Sequence, residues 1–553
     1  MSQSVELTPD RCDVKTDGRL REIARDRFGY ERLWPGQERG MSSVLDGRDT
    51  LVVMPTGSGK SAVYQVTTLL LEGPAVVVSP LIALQRDQVA SLNAMGDAPA
   101  AHANSTQSEA QRERVLKGLD AGSLEFLLLA PEQFSARDTL EELRRSKPSL
   151  LVVDEAHCIS AWGHDFRPEY LRLGAVAETI GRPPILALTA TASPVVRDEI
   201  IERLGMESPE VIVTGFDRPN LHLEVQRFSD RNAKRAAFLE QIEEAGAPGI
   251  VYVARRRTAE ELAAELWERG VSSVFYHGAM TRKERDEAQR AFMNDEFDVV
   301  VATTAFGMGI DKPNIRFVWH FDIPDSIDSL YQEIGRAGRD GQPARAVLFY
   351  ASQDLGVRRF FAASGALDAA ELECVAEVVR AGSRSMTRRE IRDATGLSRS
   401  KLAAALAQLE GGGFLAISPE GVTSPAGDSI DPEVAAAEAA RVAEAHARIE
   451  GSRVEMVRTY AETADCRREL VLNYFGEPFE GPCGNCDNCA RGSSVADRPN
   501  LPFDLNARVV HEQWGEGSVV RYEGEKIFVL FDDMGYKSLS LDVVDDRGLL
   551  KPA

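Results

Sequence analysis

The chain has 553 residues, 43% of them hydrophobic and 27% charged, a globular balance at a length that one core cannot serve, so roughly three to five domains are predicted. No stretch reaches the roughly 18 apolar residues that span a bilayer, and the polar, acidic start Met1–Asp10 has no apolar centre of a signal peptide, so a cytoplasmic protein is expected. With 86 Asp and Glu against 64 Lys and Arg the net charge is −22, which disfavours general attraction to phosphate; because net charge describes the long-range field and not one groove, a nucleic-acid partner would require a local basic track.

From residue 50 to 192, short Val- and Leu-rich runs alternate with helical patterns. The runs are Thr50–Met54, Ala75–Val78, Phe126–Leu129, Leu150–Val153 and Ile185–Leu188. Runs this short read as buried parallel strands, and their alternation with helices as a doubly wound α/β sheet. After the first run comes Met54-Pro55-Thr56-Gly57-Ser58-Gly59-Lys60-Ser61, then a helical stretch. That is the context of a phosphate-binding loop, in which Thr56, Gly57, Ser58, Gly59, Lys60 and Ser61 would hold a nucleotide. The glycines let backbone N–H groups approach the phosphates, Lys60 would reach the β- and γ-phosphates, and Ser61 would ligate Mg²⁺. Asp154-Glu155-Ala156-His157 ends a strand of the same lobe. Asp154 would hold Mg²⁺ through water and Glu155 would orient the attacking water. An acidic pair by itself is usually a solvated loop; its place after a buried strand makes it specific.

A second set of runs, Gly249–Val253, Asp298–Ala302, Arg316–His320 and Ala346–Tyr350, predicts a similar lobe, with a cleft between the two. We divide this region into a first α/β lobe over 1–205 and a second over 206–360, which the resemblance given below implies are RecA-like. Gln332-Glu333-Ile334-Gly335-Arg336-Ala337-Gly338-Arg339 lies in the second. Arginines three apart share a helical face, and Arg336 and Arg339 would reach the γ-phosphate as arginine fingers.

Residues 365–430 have a helix-turn-helix rhythm and predict a winged-helix-like domain. Met386–Thr395, Gly396 and Ser398–Leu402 read as helix, turn and recognition helix, with Arg399 and Lys401 at the end suited to nucleic acid; a protein-binding winged helix is the alternative. Residues 432–450 read as a solvated helix or linker, within a helical zinc-binding module over 431–495. Of seven cysteines, Cys12, Cys158 and Cys374 are scattered, whereas Cys466, Cys483, Cys486 and Cys489 cluster. One distant cysteine and three at two-residue spacing can wrap a tetrahedral Zn²⁺; four thiolates also suit an iron–sulfur cluster. Residues 505–553 carry alternating short strands and predict a small SH3/Tudor-like β-barrel.

Together these segments resemble superfamily 2 helicases, and Cys158-Ile-Ser-Ala-Trp162-Gly-His164-Asp-Phe166-Arg167-Pro-Glu-Tyr170 resembles the aromatic-rich loop of the RecQ family. Val78–Leu84, Leu188–Ala192, Tyr276–Met280 and Ala302–Pro313 match the same family, as does the cysteine set. The resemblance implies an ATP-dependent 3′–5′ DNA helicase or translocase acting in repair or recombination, with ATP, Mg²⁺ and Zn²⁺ as cofactors. It implies that Trp162, His164, Phe166 and Arg167 bind single-stranded or tailed duplex DNA by stacking and phosphate pairing, although packing between the lobes is the bland alternative. Phe28-Gly29-Tyr30 with Gln37 resembles the family's adenine-reading element, with Tyr30 stacking on the base and Gln37 bonding its edge.

Three departures stand out. Trp34 occupies the usual Arg position of that element. The winged helix precedes the zinc module. Only about 60 residues follow Cys489, too few for the family's usual winged helix plus a helical auxiliary domain, so a DNA-dependent ATPase that regulates without robust unwinding is one alternative reading, and an RNA helicase with the same motor is another. The tail resembles the Tudor-like domain of UvrD-type helicases, which implies a protein partner with RNA polymerase the first candidate; a passive cap on the motor is the other possibility.

Overall fold

In the computed structural model, placement is described for residues 14–553 apart from 96–98, 105–106, 136, 161–166, 308–309, 357, 359–368, 383–384, 412, 419–420, 424–430, 494–500 and 533. The chain forms two compact units, Met1–Gly215 and Phe216–Ala553.

The first unit is built on a seven-stranded sheet of β1 (Thr50–Val53), β2 (Ala75–Val78), β3 (Ala100–Ala103), β4 (Phe126–Leu129), β5 (Leu150–Val153), β6 (Ile185–Thr189) and β7 (Glu210–Val213), in the order β3-β4-β2-β5-β6-β1-β7. Every pairing is parallel. The central strands are buried at every position, which is why they read as unbroken apolar runs: both faces are covered by helices. Leu20, Met41, Val52, Val63, Tyr64, Phe126 and Leu188 belong to one core.

The second unit opens with a six-stranded sheet of β8 (Leu221–Phe228), β9 (Gly249–Tyr252), β10 (Ser273–Tyr276), β11 (Val299–Ala302), β12 (Phe317–His320) and β13 (Ala344–Ala351), in the order β10-β11-β9-β12-β13-β8 and again wholly parallel. Phe238, Phe317, Trp319, Phe321 and Phe349 fill its core. The doubly wound expectation therefore holds for both lobes.

Three helices, Ala369–Ala381, Arg388–Thr395 and Arg399–Gly411, follow with a two-stranded wing, β14 (Ala416–Ser418) and β15 (Gly421–Thr423). Thr387 and Glu390 close a capping box on the second helix, and Gly396 ends it at φ +69, the left-handed stop that glycine favours. The long helix Pro432–Glu462 then returns, and its Ala436 and Ala439 are part of the winged-helix core. Of the expected solvated helix or linker, the helix is what forms, and one of its faces is packed through Ala436 and Ala439. The tail is a five-stranded antiparallel sheet of β16 (Arg508–His511), β17 (Gly515–Glu523), β18 (Lys526–Phe531), β19 (Gly535–Ser540) and β20 (Leu550–Pro552), in the order β19-β18-β17-β16-β20. Tyr536 of this sheet stacks on Tyr474 at 5.7 Å, and a Cβ on Gly535 would lie 2.4 Å from Ser452 Oγ of the long helix. One face of the tail is therefore a cap on the preceding helices. Among the described residues no helix is long and apolar enough to cross a membrane.

Candidate nucleotide, metal and nucleic-acid sites

The phosphate loop leaves β1 and enters the helix Ser61–Thr68. Gly57 and Gly59 take φ +82 and +73, conformations that L side chains disfavour. A Cβ on Gly59 would also stand 2.9 Å from Gln37 Nε2. Lys60 Nζ donates to the carbonyl of Met54 at 3.2 Å, and Ser58 Oγ to that of Pro55 at 2.6 Å. Thr56 and Ser61 are half-buried in the same loop. Loop glycines, a helix N-terminus and a lysine make one anion cradle.

Gln37 ties the neighbouring element to this loop. Its Nε2 donates to the carbonyls of Ser58 and Gly59 at 3.0 and 2.9 Å, while its Oε1 accepts from Trp34 N at 2.8 Å. Tyr30 Oη donates to Gln65 at 2.9 Å, and the ring stacks on Phe28. Tyr30 lines a cavity of about 460 Å³ with Arg21, Arg25, Arg32 and Leu33. Trp34 is exposed, with the Arg32 guanidinium 5.1 Å from its ring centre.

Asp154 closes β5 and is buried. Burial, then the charge of Glu155, pushes its pKa up to about 7, against the pull of Lys60 and the Glu155 N–H. Glu155 has left-handed backbone, φ +49, an uncommon state for a non-glycine residue that marks a constrained site. Its carboxylate lies 3.4 Å from His157 Nδ1, which shares a 2.9 Å hydrogen bond with Thr189 Oγ1. Thr189 Oγ1 in turn donates to the carbonyl of Thr191. His157 and Thr189 thus join the acidic pair to the Leu188–Ala192 segment, a link invisible in either stretch alone.

The Asp154 carboxylate is held against its solvation preference, so its sign of linkage is fixed. A pKa raised from 3.8 to about 7 stabilises the fold fully below pH 4, and that contribution is lost as pH rises through 7. Asp154→Asn should therefore unfold at a higher temperature than wild type at pH 8, with the difference shrinking toward pH 5, and should lose hydrolysis. Thermal unfolding across this range checks it; a variant less stable than wild type at pH 8 would refute it.

In the second unit the helix Ile327–Ile334 ends before the arginines. The expectation of a shared helical face is corrected: Arg336 and Arg339 lie in the turn that follows. Gly338 takes φ +59 there, and a Cβ on it would meet Asn220 Nδ2 at 2.5 Å and Gln342 O at 2.9 Å. Arg336, almost wholly buried, donates through Nη1 to the carbonyl of Gly307. Arg339 Nη1 pairs with the exposed Asp311 at 2.7 Å. The two guanidinium groups thus reach Gly307 and Asp311 respectively. Burial and the nearby Arg336 hold the Arg339 pKa below its usual value, which leaves a concentrated positive charge that favours an anion.

The four cysteine Sγ atoms lie within 4.8 Å of one another, and Cys483 and Cys489 are 3.9 Å apart. A tetrahedron of about 2.3 Å Zn–S bonds needs sulfurs about 3.8 Å apart, so the donor set fits Zn²⁺. Asn485 N and Cys489 N donate to the sulfurs of Cys483 and Cys486 at 3.4 Å. Arg467, fully buried, forks onto Asp487, which also accepts from Val225 N at 3.2 Å. The knuckle thereby adds to the edge of β8, with Leu223 opposite Cys486.

Trp162, His164 and Phe166 lie outside the described residues. Arg167 Nη1 donates to the carbonyl of Pro80 at 3.1 Å, which sets it beside the Val78–Leu84 segment. On the winged helix the expected pair separates. Lys401 Nζ pairs with Glu371 at 2.5 Å, whereas Arg399 joins Arg388, Arg389 and Arg392 around a groove of about 250 Å³ floored by Leu402 and Leu406. This groove is a local basic patch on an acidic chain.

Three family models match the chain: DEAD/DEAH box helicase over residues 34–199, helicase conserved C-terminal domain over 233–341, and RecQ zinc-binding over 433–490. The last covers all four cysteines. The chain is 37% identical over 463 residues to the ATP-dependent DNA helicase RecQ of Pasteurella multocida, covering 84% of this chain and 61% of that protein. It is 34% identical over 501 residues to the probable ATP-dependent DNA helicase RecS of Bacillus subtilis, covering 90% and 95%. The chain therefore spans about three fifths of the first relative's length and nearly all of the second's. Among solved structures it is similar to Mycobacterium smegmatis helicase Lhr bound to ssDNA and AMP-PNP, with TM-score 0.50 and 20% identity over 78% of this chain and 61% of that one; at that identity the likeness concerns the fold.

Proposed function

The chain belongs to the RecQ family of superfamily 2 helicases, and on that premise we propose that it is an ATP-dependent 3′–5′ DNA helicase or translocase that couples hydrolysis to movement on single-stranded DNA and to duplex unwinding, in DNA repair or recombination. The observation that carries this reading is the phosphate loop with Lys60 and, two strands away at the same end of one parallel sheet, the pair Asp154 and Glu155. Ligands of doubly wound sheets bind at the carboxyl ends of the strands, where both motifs stand.

In this reading residues Thr56 to Ser61 hold the ATP phosphates, Tyr30 and Gln37 hold the base, and Asp154 with Ser61 holds Mg²⁺. Glu155 orients the attacking water. Arg336 and Arg339 stabilise the charge that develops on the transferred phosphoryl group, where positioning and electrostatics supply nearly all of the catalysis. Trp162, His164, Phe166 and Arg167 contact the single strand, and Arg399 reaches phosphate from the winged-helix groove; the Lys401 pairing with Glu371 leaves Lys401 a lesser share. Cys466, Cys483, Cys486 and Cys489 hold a structural zinc. The reading keeps the cytoplasmic location expected from the sequence.

The tail, in the same reading, docks a protein, with RNA polymerase the first candidate by its resemblance to UvrD-type tails. Exposed Glu512, Glu516 and Asp532, the last two sharing Arg508, support a protein over nucleic acid there. A DNA-dependent ATPase without robust unwinding is the second reading, favoured by the winged helix that precedes the zinc module.

A strand-displacement assay on 3′-tailed DNA, 5′-tailed DNA and RNA duplexes separates these. We expect ATP-dependent displacement of the 3′-tailed DNA alone. Displacement of RNA would point to an RNA helicase, since 2′-hydroxyl tolerance is the discriminating property. DNA-stimulated hydrolysis with no displacement would favour the regulator.

A further inference from the structure

Arg218 lies in Phe216-Asp217-Arg218-Pro219-Asn220, just ahead of β8. Its guanidinium donates from Nη1 to the carbonyl of Gly335 at 3.1 Å, and from Nη2 to those of Ala337 at 2.9 Å and Gly338 at 3.2 Å. These three carbonyls lie on either side of Arg336 and just ahead of Arg339 along one turn. Asn220 Nδ2 adds bonds to Gly338 O at 2.8 Å and Gln342 O at 2.9 Å. A guanidinium offers its donors in a rigid planar fork, so three acceptors on one turn fix that turn as a body. Carbonyl partners matter here. Neutral carbonyl partners add no negative charge to the turn beyond that of Asp311, which already pairs with Arg339.

The segment carrying Arg218 is itself gripped from the metal module. Arg468, on the helix Arg467–Tyr474 that Cys466 caps, donates through Nη2 to the carbonyls of Leu221 at 2.7 Å and Arg218 at 3.2 Å, and pairs through Nη1 with Asp217 at 3.2 Å. Asn485, between two of the cysteines, donates to the carbonyls of Pro219 at 2.9 Å and Leu221 at 3.2 Å. Phe216 stacks on Phe475 with centroids 4.6 Å apart, and its N–H donates to the Glu477 carboxylate.

We propose that Arg218 is a positioning residue for the arginine turn and that the zinc module sets it through Arg468, so that the metal site and the hydrolytic arginines are one mechanical unit. The proposal rests on the reading of Arg336 and Arg339 given above. Polar networks of this kind couple their members, because each one's geometry depends on the next.

The test uses the zinc-loaded full chain and the variants Arg218→Ala, Arg218→Lys, Arg468→Ala and Arg339→Ala. Arg218→Ala should lower kcat for DNA-stimulated ATP hydrolysis about 100-fold, the scale of a one-ångström misplacement. KM for ATP should stay within about threefold, since only a group acting in the transition state moves kcat alone, and zinc content should be unchanged. Arg218→Lys keeps the charge but cannot span three acceptors, and should recover only part of the loss. Amide exchange in the peptide covering 335–341 should quicken in Arg218→Ala and in Arg468→Ala but not in Arg339→Ala. Full turnover in Arg339→Ala would sink the arginine-finger reading itself. If Arg339→Ala is slow while Arg218→Ala turns over normally with 335–341 still protected, the positioning proposal is overturned, and loss of zinc from Arg218→Ala would likewise overturn it by making the residue structural. Should Arg218→Ala fail to fold, Arg468→Ala decides: quickened exchange at 335–341 with zinc retained supports the coupling, and unchanged exchange refutes it.

Discussion

Lys60→Ala is expected to abolish DNA-stimulated ATP hydrolysis, with a fall in kcat of at least about 100- to 1000-fold, the range seen when a preorganised charge stabiliser is removed. The side chain stands in the loop before the helix Ser61–Thr68, with Nζ on the carbonyls of Met54 and Pro55 at 3.2 and 3.5 Å. Those acceptors are neutral, so nucleotide phosphates compete for the ammonium with a charge-assisted bond about twice as strong. The substitution acts a second time through Asp154. Lys60 is one of the influences that hold the Asp154 pKa down; without it that carboxyl becomes still harder to ionise. Steady-state hydrolysis with and without single-stranded DNA measures the effect, and binding of a fluorescent nucleotide separates affinity from turnover. Full activity in Lys60→Ala would show the active-site assignment to be wrong.

The second large effect is expected from Cys486→Ser. Elemental analysis of the wild-type chain should find about one zinc, the count for one four-thiolate site, and the variant should fall well below it. Structural zinc contributes about 10–16 kcal/mol of apparent binding free energy to small modules that fold around it, so several kcal/mol of module stability should disappear. Cys486 is fully buried, caps the short helix Asp487–Ala490, and sits opposite Leu223 at the edge of β8. Without the metal the buried pair Arg467–Asp487 loses its frame. Thermal unfolding and amide exchange over 455–490 measure the loss. Metal-free protein that is fully folded and active would contradict a structural role.

The central strands of both lobes were legible because burial on both faces leaves an unbroken apolar run, as in Leu150–Val153 and Val299–Ala302. Other strands were not. Ala100–Ala103 is small and carries a histidine, and Glu210–Val213 is an edge strand with Val211 and Val213 exposed, so neither has the pattern of a core. The long helix Pro432–Glu462 read as solvated because alanines pack without a strong apolar period; Ala435, Ala436 and Ala439 are buried all the same. The phosphate loop, the acidic pair and the cysteines were legible because each is a compact string whose spacing is its chemistry. Arg218 was not, because its partners are backbone carbonyls 117 to 120 residues away, and a carbonyl has no letter in a sequence. The paired arginines were found by spacing, but the turn that presents them depends on Gly338 packing against Asn220.

The helix Pro432–Glu462 runs unbroken for 31 residues. Its early turns belong to the winged-helix core at Ala436 and Ala439, while its later turns, at Val457 and Tyr460, are buried next to the metal module. A rise of about 1.5 Å per residue puts about 30 Å between those two anchorages, close to the length of nine base pairs at about 3.4 Å each. The helix is therefore a ruler. Anything gripped by the winged helix is held at a fixed offset from the zinc knuckle, and that offset is written in the number of residues between the two cores.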